Sequence, residues 1–392
     1  ASVATRWNSA PTVQTPVGAF GHTGVVVSSG GALSTRLTQL GNLPGFEQDA
    51  VPGATAGTRF EVFPGAPAIT DDGTVAFKGN YLDGGVERTG VFARSARGGA
   101  PIQVIANSTT PIPGGPAGVT FGSTAPPSAA GTSMVFTGLD NEASPTRGGI
   151  YLAPIAPTPT LIPLVTIGGP VPNVAGATFT RLGEGLSYDG RFVGFWGAWG
   201  NETRTVVLAC PTEGNRDRIA YCRANFDNYP VQVPVHQGVF VADTATGALR
   251  LVASTGGSEG YGDFLYWNFS GAVPGENRPG ESARWRSATF VAVGSRAGTT
   301  AWTAFKAQRG YIDGVYVAKQ PGRAQITTLV DTTTPARSID PEAPAGLFVT
   351  SLGIERDGLR GGMLAIAAGM GAEHGEESTW GGIYVTDLRG VG

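Results

Sequence analysis

Histidine, tyrosine and arginine side chains that could carry out acid–base chemistry are concentrated in two stretches of the chain. His236 and His374 each lie shortly before a Gly-aromatic phrase, and histidine is the usual general base near neutral pH. Tyr229 could donate a proton to a leaving group, and Arg284 could neutralise a carboxylate. β-Elimination next to a uronate requires these residue types, so these four are the predicted catalytic residues.

Aromatic and basic residues in the same stretches could hold sugar rings, whose C–H faces stack on aromatic side chains. The predicted substrate-binding residues are Trp199, Arg223, Tyr266, Trp267, Trp285, Arg286, Arg309 and Tyr311. With the catalytic candidates they predict an extracellular carbohydrate-active enzyme, most concretely a polysaccharide lyase. The same aromatic residues also suit a non-catalytic glycan-binding or surface-adhesion protein, or simply the private core that long ordered loops need.

Carboxylates in these stretches leave a glycoside hydrolase as the second alternative. Such an enzyme needs two carboxyl groups, about 5.5 Å apart for retention or about 6.5–9.5 Å apart for inversion, and a sequence does not give that distance. His-Glu-x-x-His and phosphate-loop motifs are missing, which disfavours zinc proteases and nucleotide chemistry. We predict no cofactor and leave a structural calcium ion open, although EF-hand spacing is absent.

A repeated phrase identifies the elements that would position these residues. Glycine followed by Val or Ile, usually an aromatic residue, and then apolar residues recurs 59 to 89 residues apart, at 24–27, 90–93, 149–152, 238–241, 314–317 and 382–385. A Val-Ala-Phe type phrase precedes five copies, and three of these follow an Asp-Gly turn, a strong hairpin signal. Each unit therefore predicts four short antiparallel strands, A to D.

Four-stranded units repeated in this way are typical of β-propeller blades. The repeat resembles a class of secreted bacterial propeller-like proteins whose units read Gly-x-Val-Ala-Phe and then Gly-Ile-Phe, and the resemblance covers residues 20 to 388. It implies a fold and no particular activity. We predict an all-β chain forming one β-propeller domain over residues 1–392, with six four-stranded blades and five as the alternative. The segment from Ser2 to Trp7 would supply the fourth strand of the last blade and close the ring.

The direction of the chain places two long insertions on the same face of the predicted propeller. They are the B–C loop at 197–237 and the D–A loop at 256–287, and between them they contain most of the candidate site residues. Binding residues are expected on such loops. The two insertions therefore define the predicted functional face.

Charge and cysteine content restrict the partners and the compartment. The formal net charge is -3 and there is no basic stripe, so nucleic acid is not a predicted partner. No apolar run approaches the roughly 18 residues of a membrane span. Cys210 and Cys222 are the only cysteines and predict a disulfide, hence an oxidising compartment. We predict a secreted, extracellular or periplasmic monomer that binds a polysaccharide or other glycan.

Overall fold

The protein is all-β. The computed structural model describes residues 2–8, 13–15, 18–20, 23–38, 49–95, 100–212, 214–275, 282–296, 300–320, 325–373 and 378–391. The chain divides into two compact units: unit 1 is Ala1–Gly168, Ala209–Tyr229 and Asn268–Arg286, and unit 2 is Gly169–Leu208, Pro230–Trp267 and Ser287–Gly392. A single domain over residues 1–392 stays a prediction.

Unit 1 contains the first three sheets. The first region has β1 (Ser2–Asn8), the ribbon strands β2 (Val13–Thr15) and β3 (Gly18–Phe20), then β4 (Thr23–Ser29) and β5 (Ala32–Thr38). The second sheet has β6 (Phe60–Val62), β7 (Ala68–Ile69), β8 (Val75–Asp83), β9 (Val86–Arg94) and β10 (Gln103–Asn107). The third has β11 (Ser123–Thr124), β12 (Ser128–Ala130), β13 (Ser133–Leu139), β14 (Gly148–Pro154) and β15 (Ile162–Thr166).

Unit 2 contains the remaining three sheets. The fourth has β16 (Phe179–Leu182), β17 (Ser187–Tyr188), β18 (Phe192–Leu208), β19 (Tyr229–Asp243) and β20 (Ala248–Ser254). In sequence, helix α1 (Arg216–Asn225) follows β18, and the ribbon strands β21 (Tyr266–Ser270) and β22 (Arg284–Ala288) follow β20; α1 and most of this ribbon belong to unit 1. The fifth sheet has β23 (Val291–Arg296), β24 (Thr300–Arg309), β25 (Ile312–Gln320) and β26 (Ile326–Asp331). The sixth has β27 (Phe348–Arg360), β28 (Met363–Gly371) and β29 (Trp380–Asp387), and two 3₁₀ turns lie at Ala336–Ser338 and Leu388–Gly390.

The second to fifth repeat units fold as antiparallel meanders, as the sequence predicts, whereas the first and sixth sheets have three strands in the described ranges instead of the predicted four. In the second sheet the strand order is β10-β9-β8-β6, and β7 also pairs with β8. The first strand of this unit is therefore broken into two short pieces. Pro64 and Pro67 lie between the pieces, where they interrupt pairing because a proline has no N–H to donate.

The aromatic residues of the repeat phrases meet across strands B and C. Phe77 and Phe92 are cross-strand partners whose ring centroids lie 5.6 Å apart. Phe305 and Tyr316 form the matching pair in the fifth sheet, at 5.7 Å. Paired rings of this kind stabilise a sheet beyond their buried area. The repeated aromatic positions are thus explained by packing within each sheet.

The N-terminal strand is placed differently from the prediction. β1 pairs with β4 over its whole length, from Ser2 opposite Ser29 to Asn8 opposite Thr23. It therefore takes the position of strand B in the first sheet, where β4 would otherwise present an unpaired edge. The prediction that Ser2 to Trp7 completes the last sheet is wrong.

Both predicted insertions contain regular structure. β18 and β19 are paired and are the longest strands of the fourth sheet, and α1 lies between them in the sequence. Runs of β-branched residues, such as those between Thr203 and Val207, favour this extension. No helix in the described ranges is long and apolar enough to cross a membrane.

An ion pair in the fourth sheet gives a pH-dependent contribution to stability. Arg191 donates to both carboxylate oxygens of Asp243, at 2.8 and 2.7 Å, and thereby lowers the pKa of Asp243 to about 2. Because the folded pKa lies below the ordinary value of 3.8, the stabilisation is present above about pH 4 and is lost as the pH falls towards 2. We expect the stability difference between the wild type and Asp243→Asn to shrink over this range.

Urea unfolding of the two proteins at pH 7 and at pH 2.5 measures this difference. A difference that is equally large at both pH values would contradict the assignment of the shift to the Arg191–Asp243 pair.

Candidate functional site

The sixth sheet differs from the other five at strand β29. In each of the first five sheets the Gly-aromatic strand has a partner on both sides, and the outer partner is β5, β10, β15, β20 or β26. The sixth sheet has the order β27-β28-β29, and no strand in the described part of the chain pairs with the other edge of β29. That edge presents unpaired N–H and C=O groups, which are a template for another strand.

The side chains of β29 are exposed where those of its counterparts are buried. Ile383 is 78% exposed, whereas the residues at the same repeat position are 0 to 1% exposed. Those residues are Val25, Val91, Ile150, Val239 and Val315. Val385, two residues along the same face, is 60% exposed. The other five copies of the repeat therefore show that the residue at this position is normally buried.

The neighbouring sheet explains the burial of the counterparts. Val25 packs in one cluster with Val75 of β8, and Val315 packs with Leu364 of β28. On the sixth sheet the exposed face continues from Ile383 onto its cross-strand partner Ala367, which is also exposed. β29 thus has both a free edge and an uncovered aliphatic face.

The glycine that starts the phrase gives a second, independent sign of a missing neighbour. A Cβ atom on Gly90 or Gly238 would lie 2.9 or 2.7 Å from a carbonyl oxygen of the outer strand, and one on Gly149 would overlap such an oxygen. On Gly314 the nearest atoms belong to the ring of Tyr316. On Gly382 they belong to Tyr384, no nearer than 3.3 Å. The nearest neighbours of a Cβ at Gly382 therefore belong to β29 itself, and none of them is backbone of an outer strand.

Strand β29 is held in place by one carboxylate and has no feature that blocks pairing. Trp380 Nε1 and Tyr384 Oη donate to the same Oδ2 atom of Asp340, at 2.9 and 3.0 Å. These donors, Trp380 first, lower the pKa of Asp340 below its ordinary value. β29 contains no lysine or proline, the residues with which edge strands commonly prevent pairing. The edge is therefore both ordered and available.

The predicted site residues in unit 2 pack against other aromatic or charged side chains. His236 stacks on Trp199, with ring centroids 6.1 Å apart, and its Nε2 lies 3.5 Å from Glu202. Arg309 lies over the rings of Tyr261 and Tyr316, at 4.7 and 5.0 Å. Trp199 is buried, Trp267 is half-buried, and Tyr311 is almost fully exposed in the β24–β25 turn.

Tyr266 belongs to a buried polar group in unit 2. Lys306 Nζ lies 3.7 Å from the centre of the Tyr266 ring and 3.3 Å from an Asp313 carboxylate oxygen. Burial raises the pKa of Tyr266, and the nearby carboxylates of Asp313 and Asp263 raise it further. Burial also lowers the pKa of Lys306, an effect that Asp313 opposes. Because the hydroxyl of Tyr266 is difficult to ionise and little exposed, we assign this side chain a role in packing.

The predicted site residues in unit 1 surround the helix. We call residues 209–229 and 268–286 the insertion module. Cys210 and Cys222 form the predicted disulfide, with Cα atoms 5.9 Å apart. Trp285 packs on Phe269 and donates from Nε1 to the carbonyl of Phe226 at 3.1 Å. The aromatic residues of the module therefore form a core of their own.

The remaining candidates are dispersed around this module. The ring of Tyr229 lies 5.7 Å from that of Phe226, and Arg223 is exposed in the last turn of α1. Arg284 forms an ion pair with Glu142 at 3.3 Å, and Arg286 is half-buried. His374 lies outside the described residues. Within the described ranges, no group of three or more His, Cys, Asp or Glu side chains is placed to hold a metal ion.

One catalytic motif that the sequence analysis missed is present without its structural context. Residues 256–260 read Gly-x-Ser-x-Gly, the pattern of a nucleophile elbow, which joins a strand to a helix. Ser258 instead lies in a turn that follows β20, and its hydroxyl donates to Glu259 at 3.1 Å. The motif therefore does not assign a serine hydrolase.

Comparison with known proteins shows similarity at the level of fold. No family model and no curated protein sequence matches the chain. The β-propeller domain of the Trilobed protease from Pyrococcus furiosus is 11% identical, with a TM-score of 0.31 over 84% of this chain and 81% of that one. The acylaminoacyl peptidase of Pyrococcus horikoshii is 11% identical, with a TM-score of 0.30 over 82% of this chain and 44% of that one. The AtxE2 isopeptidase is 10% identical, with a TM-score of 0.27, over 85% and 51%.

The prediction of a polysaccharide lyase is wrong. In unit 2 the tyrosine candidate Tyr266 lies beneath Lys306, and the arginine candidate Arg309 lies over the rings of Tyr261 and Tyr316, so both side chains are used in packing. The glycan-binding and glycoside-hydrolase alternatives lose their basis as well. The aromatic rings on which glycan binding would depend, such as Trp199 and Trp285, are packed against neighbouring aromatic residues.

Proposed function

We propose that the protein binds a partner polypeptide by accepting one of its extended strands on the free edge of β29. The observation that carries the proposal is the outer edge of β29, which pairs with no strand in the described part of the chain, whereas all five counterparts of β29 have an outer partner. Gly382 supports it, because the matching glycines Gly90, Gly149 and Gly238 leave space for the backbone of an outer strand. The partner supplies an outer strand, which the described part of the sixth sheet lacks, and an aliphatic side chain opposite Ile383.

Strand addition suits the geometry of this edge. Backbone hydrogen bonds along an exposed strand give affinity, and alternate side chains give specificity. Every outer strand in the first five sheets runs antiparallel to its Gly-aromatic strand. The partner strand therefore runs antiparallel to β29.

The finer architecture and the compartment belong to the same proposal. We infer that the six sheets are the six blades of a β-propeller, because each Gly-aromatic phrase lies in a different sheet and β1 pairs with β4 in the first of them. The Cys210–Cys222 disulfide supports secretion into an oxidising compartment.

Peptides copied from the chain's own outer strands test the proposal. A fluorescein-labelled peptide with the sequence of residues 325–332, which include β26, is titrated with the protein and followed by fluorescence anisotropy. The control peptide has the same side chains but carries N-methyl groups on alternate residues, so that it cannot donate along one edge. We expect saturable binding of the first peptide and binding at least about tenfold weaker for the control.

The four peptides copied from β5, β10, β15 and β20 extend the experiment. If none of the five peptides binds, or if N-methylation leaves their binding unchanged, strand addition is not the function of this edge.

A further inference from the structure

We infer that the strand bound by β29 has the sequence class Leu or Ile, two variable residues, an apolar residue, and then Ala, Val or Leu. This inference rests on the proposed function and concerns which partner strands are accepted. The five outer strands of the chain already pair with the counterparts of β29, so their shared features define what such an edge accepts.

The five outer strands and the residues just before them share one sequence pattern. The segments are residues 33–38 (LSTRLT), 102–107 (IQVIAN), 161–166 (LIPLVT), 249–254 (LRLVAS) and 326–331 (ITTLVD). The first position is always Leu or Ile, and the second takes Ser, Gln, Ile, Arg or Thr. The fourth is apolar in four of the five, and the fifth is only Leu, Ala or Val.

The register shows why the fifth position is restricted. Its residues lie directly opposite the counterparts of Ile383, as Val330 lies opposite Val315 and Ala106 opposite Val91. These fifth-position residues are 0 to 6% exposed. On β29 the same position lies directly opposite Ile383, where an aliphatic side chain would pack as a cross-strand neighbour and a charged one would not.

The extra residue in each outer strand fixes the spacing of the pattern. The pairing shifts by one residue just after the fifth-position pair, for example between Val315 and Tyr316. The outer strand carries the additional residue, Leu329 in the fifth sheet. A partner strand must therefore place two residues opposite one at this point, as in a β-bulge.

The sixth position has a role that a separate partner does not need. Asn107 and Asp331 each accept a hydrogen bond at 2.9 Å from the backbone N–H two residues later, which starts the turn to the next sheet. Ser, Thr, Asn and Asp are favoured at such turns. Because a bound peptide can end here, its sixth residue is free to vary.

Three variants of the peptide covering residues 325–332 test the inference by anisotropy. We expect Val330→Asp to weaken binding at least about tenfold, because it places a carboxylate beside Ile383. Thr327→Asp introduces the same charge at the variable second position, opposite Val385 in the β29 register, and Asp331→Ala removes the turn residue. Both are expected to bind within about threefold of the parent peptide.

The outcomes separate this inference from the proposed function. Equal binding of the parent, Val330→Asp and Thr327→Asp peptides would overturn the sequence class and leave strand addition intact. Equal weakening by both aspartates would also overturn it, since charge alone would then explain the result. Loss of all binding, including that of the parent, would overturn the proposed function itself.

Discussion

Val315→Thr is expected to lower the free energy of unfolding by about 1–3 kcal/mol, because it places a hydroxyl in a fully buried aliphatic position. Ile383→Thr is expected to change the same quantity by less than about 0.5 kcal/mol, since Ile383 is mostly exposed. Both substitutions keep a β-branched side chain in a strand, so differences in β-propensity are small. Urea unfolding of the two variants and the wild type measures the contrast.

The same pair of variants tests whether the face of β29 is covered in the free protein. If Ile383→Thr costs as much as Val315→Thr, Ile383 is buried by another part of the chain or by a second copy. A cost that disappears on dilution would indicate the second copy. Either result would contradict a free docking surface on the isolated protein.

Gly149→Ala is expected to destabilise the protein by about 3 kcal/mol or more, because the new Cβ would overlap the carbonyl oxygen of Val165. Gly382→Ala, at the matching position of β29, is expected to change stability by less than about 1 kcal/mol. Its Cβ would meet only the side chain of Tyr384, from 3.3 Å, and this ring can shift. Thermal or urea unfolding of both variants measures the difference.

Gly382→Ala is nevertheless expected to lose peptide binding. A strand bound in the register of the other sheets brings a carbonyl oxygen close to residue 382, as Ala253 does at Gly238. The control is Gly353→Ala in β27 of the same sheet, where the nearest atom to a new Cβ lies 3.9 Å away. We expect binding at least about tenfold weaker for Gly382→Ala and unchanged for Gly353→Ala. Unchanged binding in both variants would show that the peptide does not pair with this edge.

The sheets could be predicted from the sequence because their strands pair with neighbours that are close in the sequence. Phe77 and Phe92 lie on strands joined by a tight turn, so the spacing of the phrases determines that they meet. The Cys210–Cys222 pair was predictable for the same reason, since no other cysteine exists. The position of β1 was not predictable. β1 could pair with the edge of the first sheet or with that of the last sheet, and the repeat pattern does not contain the geometry that decides between them.

The candidate site was harder to predict because residue types do not determine burial. His236, Tyr266 and Trp199 have the chemistry of a sugar site, yet Trp199 packs against Phe240 and Tyr266 lies beneath Lys306. The exposure of Ile383 was not predictable, because its phrase has the same Gly-Ile-Tyr residues as that of the buried Ile150. Only the structure distinguishes the two positions.

Hydrogen–deuterium exchange of β29, with and without the peptide of residues 325–332, is the most direct test of strand addition at this edge. β25 is the internal reference, because it has strand partners on both edges. If a peptide strand adds to this edge, the amides of β29 that point away from β28 exchange rapidly in the free protein and slowly in the complex. The amides of β25 exchange slowly in both states. Slow exchange at β29 without peptide, or protection by the peptide at another strand alone, would contradict strand addition at this edge.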